Sequence, residues 1–517
     1  MSQSNFGKPL NGQDVSISLD INTDKRNLTD QKDDTGVVYR PTTLDNHGKW
    51  KESFQSLKPE KQVVPGDTFF LYRTAFLGNL LAFAGGIGFS WSSPVLPKLQ
   101  STDTPLNSQI DASQASLIAS ILCVGAAIGP FLFGFSADKI GRKKTLIAIS
   151  LPMTAGIIFL AFTDKVEIYY LGRLLYGMGT GGVFTVLTMY TGEITSDFNR
   201  GKFSCILGIF VALGVLYPFA IGSFMTVKIF CLSCLLPLQI FLIFFTLYAP
   251  DSPSYLVRNS HYKQAERALI NLRSISCEQA QKDVIELQKI EEHQRHLKGG
   301  IMELFRSRGT RKAFIIASGL LILQQISGIN AVTGFMENIF MATGSSIPPQ
   351  IATMMVGTIQ VITVGVTSVV VEKLGRKLLL LASTLGASVS VILLGAYFFL
   401  QRHQFAMLVY FWWLPIACLL LYIVSFNLGL GPVPWTVLSE VFPDNVKSIA
   451  SALASATCFG VSFLVTLAFP IVSETLGMAE SFWVFGVCCA FGAIFIKLVM
   501  IETKGKNVTE IQEILSK

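Results

Sequence analysis

Twelve runs in this chain are long and apolar enough to cross a bilayer as helices. They begin near Phe69, Ala115, Thr145, Ile168, Phe203, Val227, Ala313, Ile351, Leu378, Ala406, Ser448 and Ser481. A spanning helix takes about 20 predominantly apolar residues, and in hydrocarbon only helices and closed barrels satisfy every main-chain donor and acceptor. So many runs exclude an ordinary soluble domain and predict an all-α polytopic membrane protein with the lipid bilayer as its surroundings. Composition agrees: 51% of residues are hydrophobic and 15% charged, against about 25% charged in soluble proteins. The net charge of +7 does not point to nucleic acid, because the basic residues fall mainly in short loops between the runs.

Those loops set the expected orientation. Lys139, Arg142, Lys143 and Lys144 follow the second run, Arg200 and Lys202 the fourth, and Lys373, Arg376 and Lys377 the eighth, while the alternate loops are poor in Lys and Arg. Positive charge concentrates on the cytoplasmic side, which predicts that both termini are cytoplasmic. Residues 1–66 are polar, carry no apolar signal-peptide core and read as a disordered tail. Residues 67–249 form the first six-helix bundle. Residues 250–312 are a polar loop with helical periodicity at Tyr262–Arg273 and Glu278–His293, residues 313–500 the second bundle, and 501–517 a short tail.

The chain repeats itself. Asp138-Lys139-Ile140-Gly141-Arg142-Lys143 recurs as Glu372-Lys373-Leu374-Gly375-Arg376-Lys377. Glu193 followed by Arg200 recurs as Glu440 followed by Lys447, and Pro250-Asp251 recurs loosely as Ile501-Glu502. Three landmarks in one order imply two pseudo-symmetric six-helix halves, an architecture whose cargo site lies between the halves near the midplane. The repeated acids and bases Asp138, Arg142, Glu193 and Arg200, then Glu372, Arg376, Glu440 and Lys447, would form conformational latches on one face. The plainer alternative is that the bases only set topology.

The most costly polar stretch is Gln324-Gln325-Ile326-Ser327-Gly328-Ile329-Asn330, inside the seventh run. Amides are expensive in a membrane. Each offers a donor and an acceptor together, which suits a neutral, hydroxyl-rich ligand. Single intramembrane amides usually glue helices together, whereas three within seven residues favour a site. Trp435 follows Gly429-Leu430-Gly431-Pro432-Val433-Pro434, a run that must bend the tenth helix. Its ring reads equally as a gate or as an interfacial belt residue.

Other chemistry is missing from the pattern. Eight of nine cysteines fall in the apolar runs and the five histidines fall outside them, so neither a disulfide framework nor a metal site is expected. No nucleotide-binding loop, catalytic acid pair or nucleophile stands out, and no enzyme, cofactor or obligate protein partner is expected. The first run contains no Asp or Glu, which disfavours a proton-driven mechanism.

Several stretches resemble the sugar porter family of the major facilitator superfamily, and within it the insect facilitated trehalose transporters and their glucose-transporting relatives. They are Gly134 to Lys143, Gly172-Arg173 with Tyr190 and Glu193, and Pro250 to Leu256. To these add Gln324 to Asn330, Glu372 to Lys377, Gly429 to Trp435 with Glu440, and Glu502 to Gly505. The resemblance implies a twelve-helix alternating-access fold. It implies that Gln324, Gln325 and Asn330 bind sugar hydroxyls, with Gln360 at a position usually held by Asn, Trp435 beneath the sugar and Phe335 at the outer gate. Asn427 stands where relatives carry an acidic residue, Cys458-Phe459 where they carry Asn-Trp, and Gly334-Phe335 where they carry two tyrosines. These readings lead to a facilitative carrier of trehalose or a hexose in the plasma membrane, with a non-transporting sugar sensor and a proton–sugar symporter as alternatives.

Overall fold

A computed structural model describes residues 68–196, 199–296, 301–506 and 508–516. Within the N-terminal segment it also describes two short antiparallel ladders, Gln31–Lys32 with Val38–Tyr39 and Thr43–Leu44 with Trp50–Lys51. The rest of the tail expected to be disordered lies outside the described residues.

The remainder is helical. Eleven helical stretches among the described residues have the length and apolarity to cross a membrane. The fourth run, Val166–Ile194, is the exception by composition alone. Its 29 residues reach about 43 Å at 1.5 Å per residue, but Arg173 and glycines such as Gly177, Gly179, Gly181 and Gly182 dilute its hydropathy. Those features face protein, since Arg173 is buried and the glycines lie against neighbouring helices. A Cβ on Gly177 would stand 2.1 Å from the Leu122 carbonyl and one on Gly181 2.2 Å from that of Ala126. Reciprocally, a Cβ on Gly125 or Gly129 of the second span, Ala112–Ile140, would stand 2.2 Å from a carbonyl of the fourth. Paired small residues four apart let two helix backbones touch, which replaces hydrophobic driving force where lipid is as apolar as leucine. With this helix the spans number twelve.

In the first half the second, third and fourth spans pack together, and the first (Phe69–Ser90) packs on the fifth (Arg200–Ile221) and sixth (Val227–Tyr248). In the second half the ninth (Arg376–Arg402) packs on the twelfth (Met478–Val499) and on the tenth, which begins at Leu414. The halves meet where the second span lies along the eleventh (Asp444–Thr475) and the fifth along the eighth (Pro349–Leu374). The repeat is visible in the backbone. Gly141 has φ 91° and ψ 159°, and Gly375 has φ 85° and ψ 157°. Each begins the next helix from a conformation that L side chains rarely adopt. The central segment forms the helices Pro253–Arg258, Tyr262–Arg273 and Cys277–His296. They share a small core of Leu256, Val257, Ala265, Leu269 and Val284.

Candidate substrate site

The seventh span is broken. Its first helix, Arg308–Ile326, stops at Ser327, and Gly328 takes φ 90° before the chain resumes as Ile329–Gly334 and Met336–Thr343. A Cβ on Gly328 would lie 2.6 Å from the Phe485 ring, so the turn needs glycine for both conformation and space. The freed groups are taken locally: Ser327 Oγ donates to the Gln324 carbonyl at 2.7 Å, and the Tyr422 hydroxyl donates to the Ser327 carbonyl at 3.0 Å.

This turn brings the amides together. Asn330 Nδ2 donates to Gln325 Oε1 at 2.8 Å and to Ser462 Oγ of the eleventh span at 2.6 Å. Gln325 Nε2 donates to Gln324 Oε1 and to Cys458 Sγ, both at 3.2 Å. Ser462 Oγ lies 3.2 Å from Cys123 Sγ of the second span, so the polar chain ends at the seam between the halves. Gln324 and Gln325 are buried, while Asn330 and Gln360 of the eighth span are partly exposed.

The tenth span is broken as well, into Leu414–Leu428 and Val433–Glu440. In an unbroken helix the Leu430 carbonyl would accept from the N–H four residues on, but that residue is Pro434 and has none. Gln324 supplies the donor: its Nε2 reaches the Leu430 carbonyl at 2.7 Å and the Gly431 carbonyl at 2.8 Å. On the other side of the break, the Leu430 N–H donates to Ser383 Oγ at 2.8 Å. Trp435 follows directly, half-buried, its ring centroid 6.5 Å from that of Phe459. Phe335 is buried with its ring 5.8 Å from Phe469. Asn427 Nδ2 donates to the Ile423 carbonyl of its own helix at 2.8 Å.

The repeated charges lie at the other landmark. Arg142 Nε donates to Glu193 Oε1 at 2.9 Å, and Arg142 lies 3.6 Å from Asp138, which Arg258 also holds at 3.1 Å. In the second half Arg376 NH2 donates to Glu440 Oε1 at 2.9 Å, with Thr503 on the other carboxylate oxygen. Each set stays within one half. Glu502 receives the Arg376 and Lys377 main-chain N–H groups at 3.0 and 3.1 Å, a carboxylate on a helix N-terminus. Partial burial pushes its pKa up, but the N–H groups of Arg376, Lys504 and Lys377 outweigh this and hold it below the usual carboxylate range. No ion pair is formed by Lys447 among the described residues, and the side chains of Arg200 and Glu372 lie outside them.

One polar residue escaped the sequence reading. Glu337, two residues past Phe335, is buried and ties the halves at the end opposite the Gly-Arg loops. Its Oε2 accepts from Ser223 Oγ of the first half at 2.8 Å and its Oε1 from Gln350 Nε2 at 3.2 Å. Its N–H donates to Ser93 Oγ at 3.0 Å, and Ser92 Oγ donates to the Gly334 carbonyl at 2.9 Å. The signal available was an acid seven residues after Asn330 in an otherwise apolar stretch.

Two broken helices facing each other across an amide cluster, at a seam between pseudo-symmetric bundles, make a carrier's geometry. Residues 62–515 match the family described as "Sugar (and other) transporter". This chain belongs to that family. Among curated sugar transporters it is 29% identical over 431 residues to the facilitated trehalose transporter Tret1 of Bombyx mori, covering 82% of this chain and 83% of that protein. It is equally 29% identical, over 429 residues, to Tret1 of Apis mellifera ligustica, covering 83% and 84%. The fold matches the inward-open xylose transporter XylE of E. coli with a TM-score of 0.72 at 21% identity, over 86% of this chain and 99% of XylE. A sugar transporter with this fold is not an enzyme, and its cargo is a small sugar.

Proposed function

We propose that the protein is a facilitative uniporter for trehalose or a hexose, working by alternating access in the plasma membrane with both termini cytoplasmic. The observation that carries this reading is the amide chain Gln325–Asn330–Ser462, which ends against the second span at the seam. Its neutral donors and acceptors suit hydroxyls and have no charge to attract an ionic cargo. Asn330 and the partly exposed Gln360 amide would meet the sugar first, with Trp435 packing on an apolar ring face. The charged sets at Arg142–Glu193 and Arg376–Glu440 would steady each half as it rocks.

The way Arg173 is held supports the uniport reading. Its guanidinium is fully buried and donates to the carbonyls of Ile118, Gly88 and Ala119 at 3.1, 2.8 and 3.3 Å, under the face of Trp91. No carboxylate among the described residues bonds to it. A proton symporter normally carries a titratable acid along its route, and the first span has none.

The test is uptake of radiolabelled trehalose and glucose in oocytes, with and without a proton uncoupler. Uptake that equilibrates and ignores the uncoupler is expected. Accumulation abolished by the uncoupler would replace uniport with symport, and binding without flux would make the protein a sensor.

A further inference from the structure

The Gln324 carboxamide has no donor left over. Both Nε2 bonds go to the tenth span, to Leu430 and Gly431, and its Oε1 accepts from Gln325. The Leu430 carbonyl needs that bond because Pro434 has removed the N–H that would otherwise serve it. A main-chain carbonyl left unpaired in a buried site is costly, so the position of the break depends on Gln324. Ser383 fixes the same residue from the ninth span through the Leu430 N–H. The Gly429 backbone also lies hard against the ninth span: a Cβ there would stand 2.5 Å from the Leu379 carbonyl.

We infer that Gln324 is a positioning residue, a side-chain substitute for the N–H that Pro434 lacks, and that cargo signals its arrival by competing for it. This rests on the proposed sugar site. A hydroxyl bound beside Gln325 and Asn330 accepts from Gln324 Nε2 and draws it off Leu430. The uncovered carbonyl must then find another donor, and it does so by moving the break, which carries Trp435 with it. Coupling then runs through two hydrogen bonds and one missing proton, with no change of charge. The bistable element is the tenth-span break, and the sugar biases it through differential contact.

Three substitutions, alone and in pairs, test this. Gln324→Met keeps the length and removes the donors. Equilibrium binding of sugar should change less than about 3-fold, because the hydroxyl gains a Gln324 bond only as Leu430 loses it, while turnover falls about 10-fold or more for every sugar except the deoxygenated one that lacks the competing hydroxyl. A hydroxyl contact that only anchors the sugar, without displacing the Leu430 bond, predicts the reverse: binding weakened at least about 10-fold, with turnover of the bound sugar unchanged. That result would overturn the inference, as would unchanged binding and turnover. Ser383→Ala combined with Gln324→Met should be non-additive in turnover, because both hold Leu430. Pro434→Ala restores an N–H opposite Leu430. In the Gln324→Met background it should recover part of the lost thermal stability in detergent, whereas alone it should add little. No recovery would refute the N–H substitution. If the wild-type protein binds no sugar, the proposed function and the cargo step fall together, and the stability of the Pro434 pair still decides whether Gln324 replaces the missing donor.

Discussion

Ser223→Ala should open the end of the transporter that Glu337 closes. Ser223 belongs to the first half and donates to Glu337 Oε2 of the second at 2.8 Å. A hydrogen bond to a charged group contributes about 1.5–3 kcal/mol. Glu337 keeps the Gln350 amide when Ser223 is lost, and that amide belongs to the second half, so it cannot hold the halves together. Lys98 reinforces the same corner by donating to the carbonyls of Gly222 and Met225, which flank Ser223. The closed state therefore loses about 1.5–2 kcal/mol relative to the open one once the surviving contacts and water are allowed for. A loss of 1.4 kcal/mol is tenfold in an equilibrium, so in the proposed orientation the fraction open to the outside rises roughly 10- to 30-fold while it remains the minor state. Apparent affinity scales with the competent fraction, and the KM for entry at zero internal sugar should fall by a comparable factor. The assay is initial-rate uptake at matched surface expression for wild type, Ser223→Ala, Glu337→Gln and the double variant. Coupling between the two positions should exceed about 1 kcal/mol. An entry KM within about twofold of wild type, or coupling below about 0.3 kcal/mol, would refute the clasp.

Three further outcomes follow from the geometry. Gln325→Ala removes the acceptor of Asn330 and should lower kcat/KM for uptake about 10- to 100-fold, at about 1–3 kcal/mol for a broken buried network; unchanged kinetics would take the seventh span out of the site. Glu502 carries a depressed pKa, so its contribution to stability is present above the unfolded carboxylate value and is lost as pH falls through the lower folded one. Wild type should therefore unfold at a higher temperature than Glu502→Gln near pH 7 in detergent, and the two should converge as the buffer is acidified below about 4. Gly177→Ala must push the second and fourth spans apart, at about 1–3 kcal/mol, and should lower the unfolding temperature. Gly460→Ala, whose Cβ meets no atom of the described residues within 4 Å, should leave it unchanged.

The spans were legible because membrane helices advertise themselves by length and apolarity. The one that fell short, Val166–Ile194, did so because its small and charged residues serve packing inside the bundle, and hydropathy cannot tell an inward glycine from an outward one. The break at Gly429–Pro434 was legible for a local reason, the absence of proline N–H groups. The role of Gln324 was not, because it depends on which carbonyl Pro434 leaves empty and on a fold that brings residue 324 to residue 430. Asn427 reads as a candidate by position but is occupied by its own helix at Ile423. Glu337 looked like one acid near a helix end. Its partner Ser223 lies in a three-residue 3-10 turn of the other half, a contact that no local pattern encodes.

The placement of polar groups bears on why such a carrier would be passive. Gln325, Asn330, Gln360 and Ser462 all belong to the second half, and among the described residues the first half meets the Gln325–Asn330–Ser462 chain at the seam through the Cys123 thiol. Arg173, the strongest donor buried in the first half, is fully committed to main-chain carbonyls. A sugar seated on the amides would thus be held by one half throughout the rocking motion, and would gain few contacts when the other half closes over either end. A ligand with nearly equal affinity for two states shifts neither. Near-equality between the two rocked states keeps cargo from being trapped in either, while the tenth-span break remains the local equilibrium that the sugar biases. The closing force at the end opposite the Gly-Arg loops then has to come from the protein itself, and the Ser223–Glu337 bond, which involves no cargo, is placed to supply it.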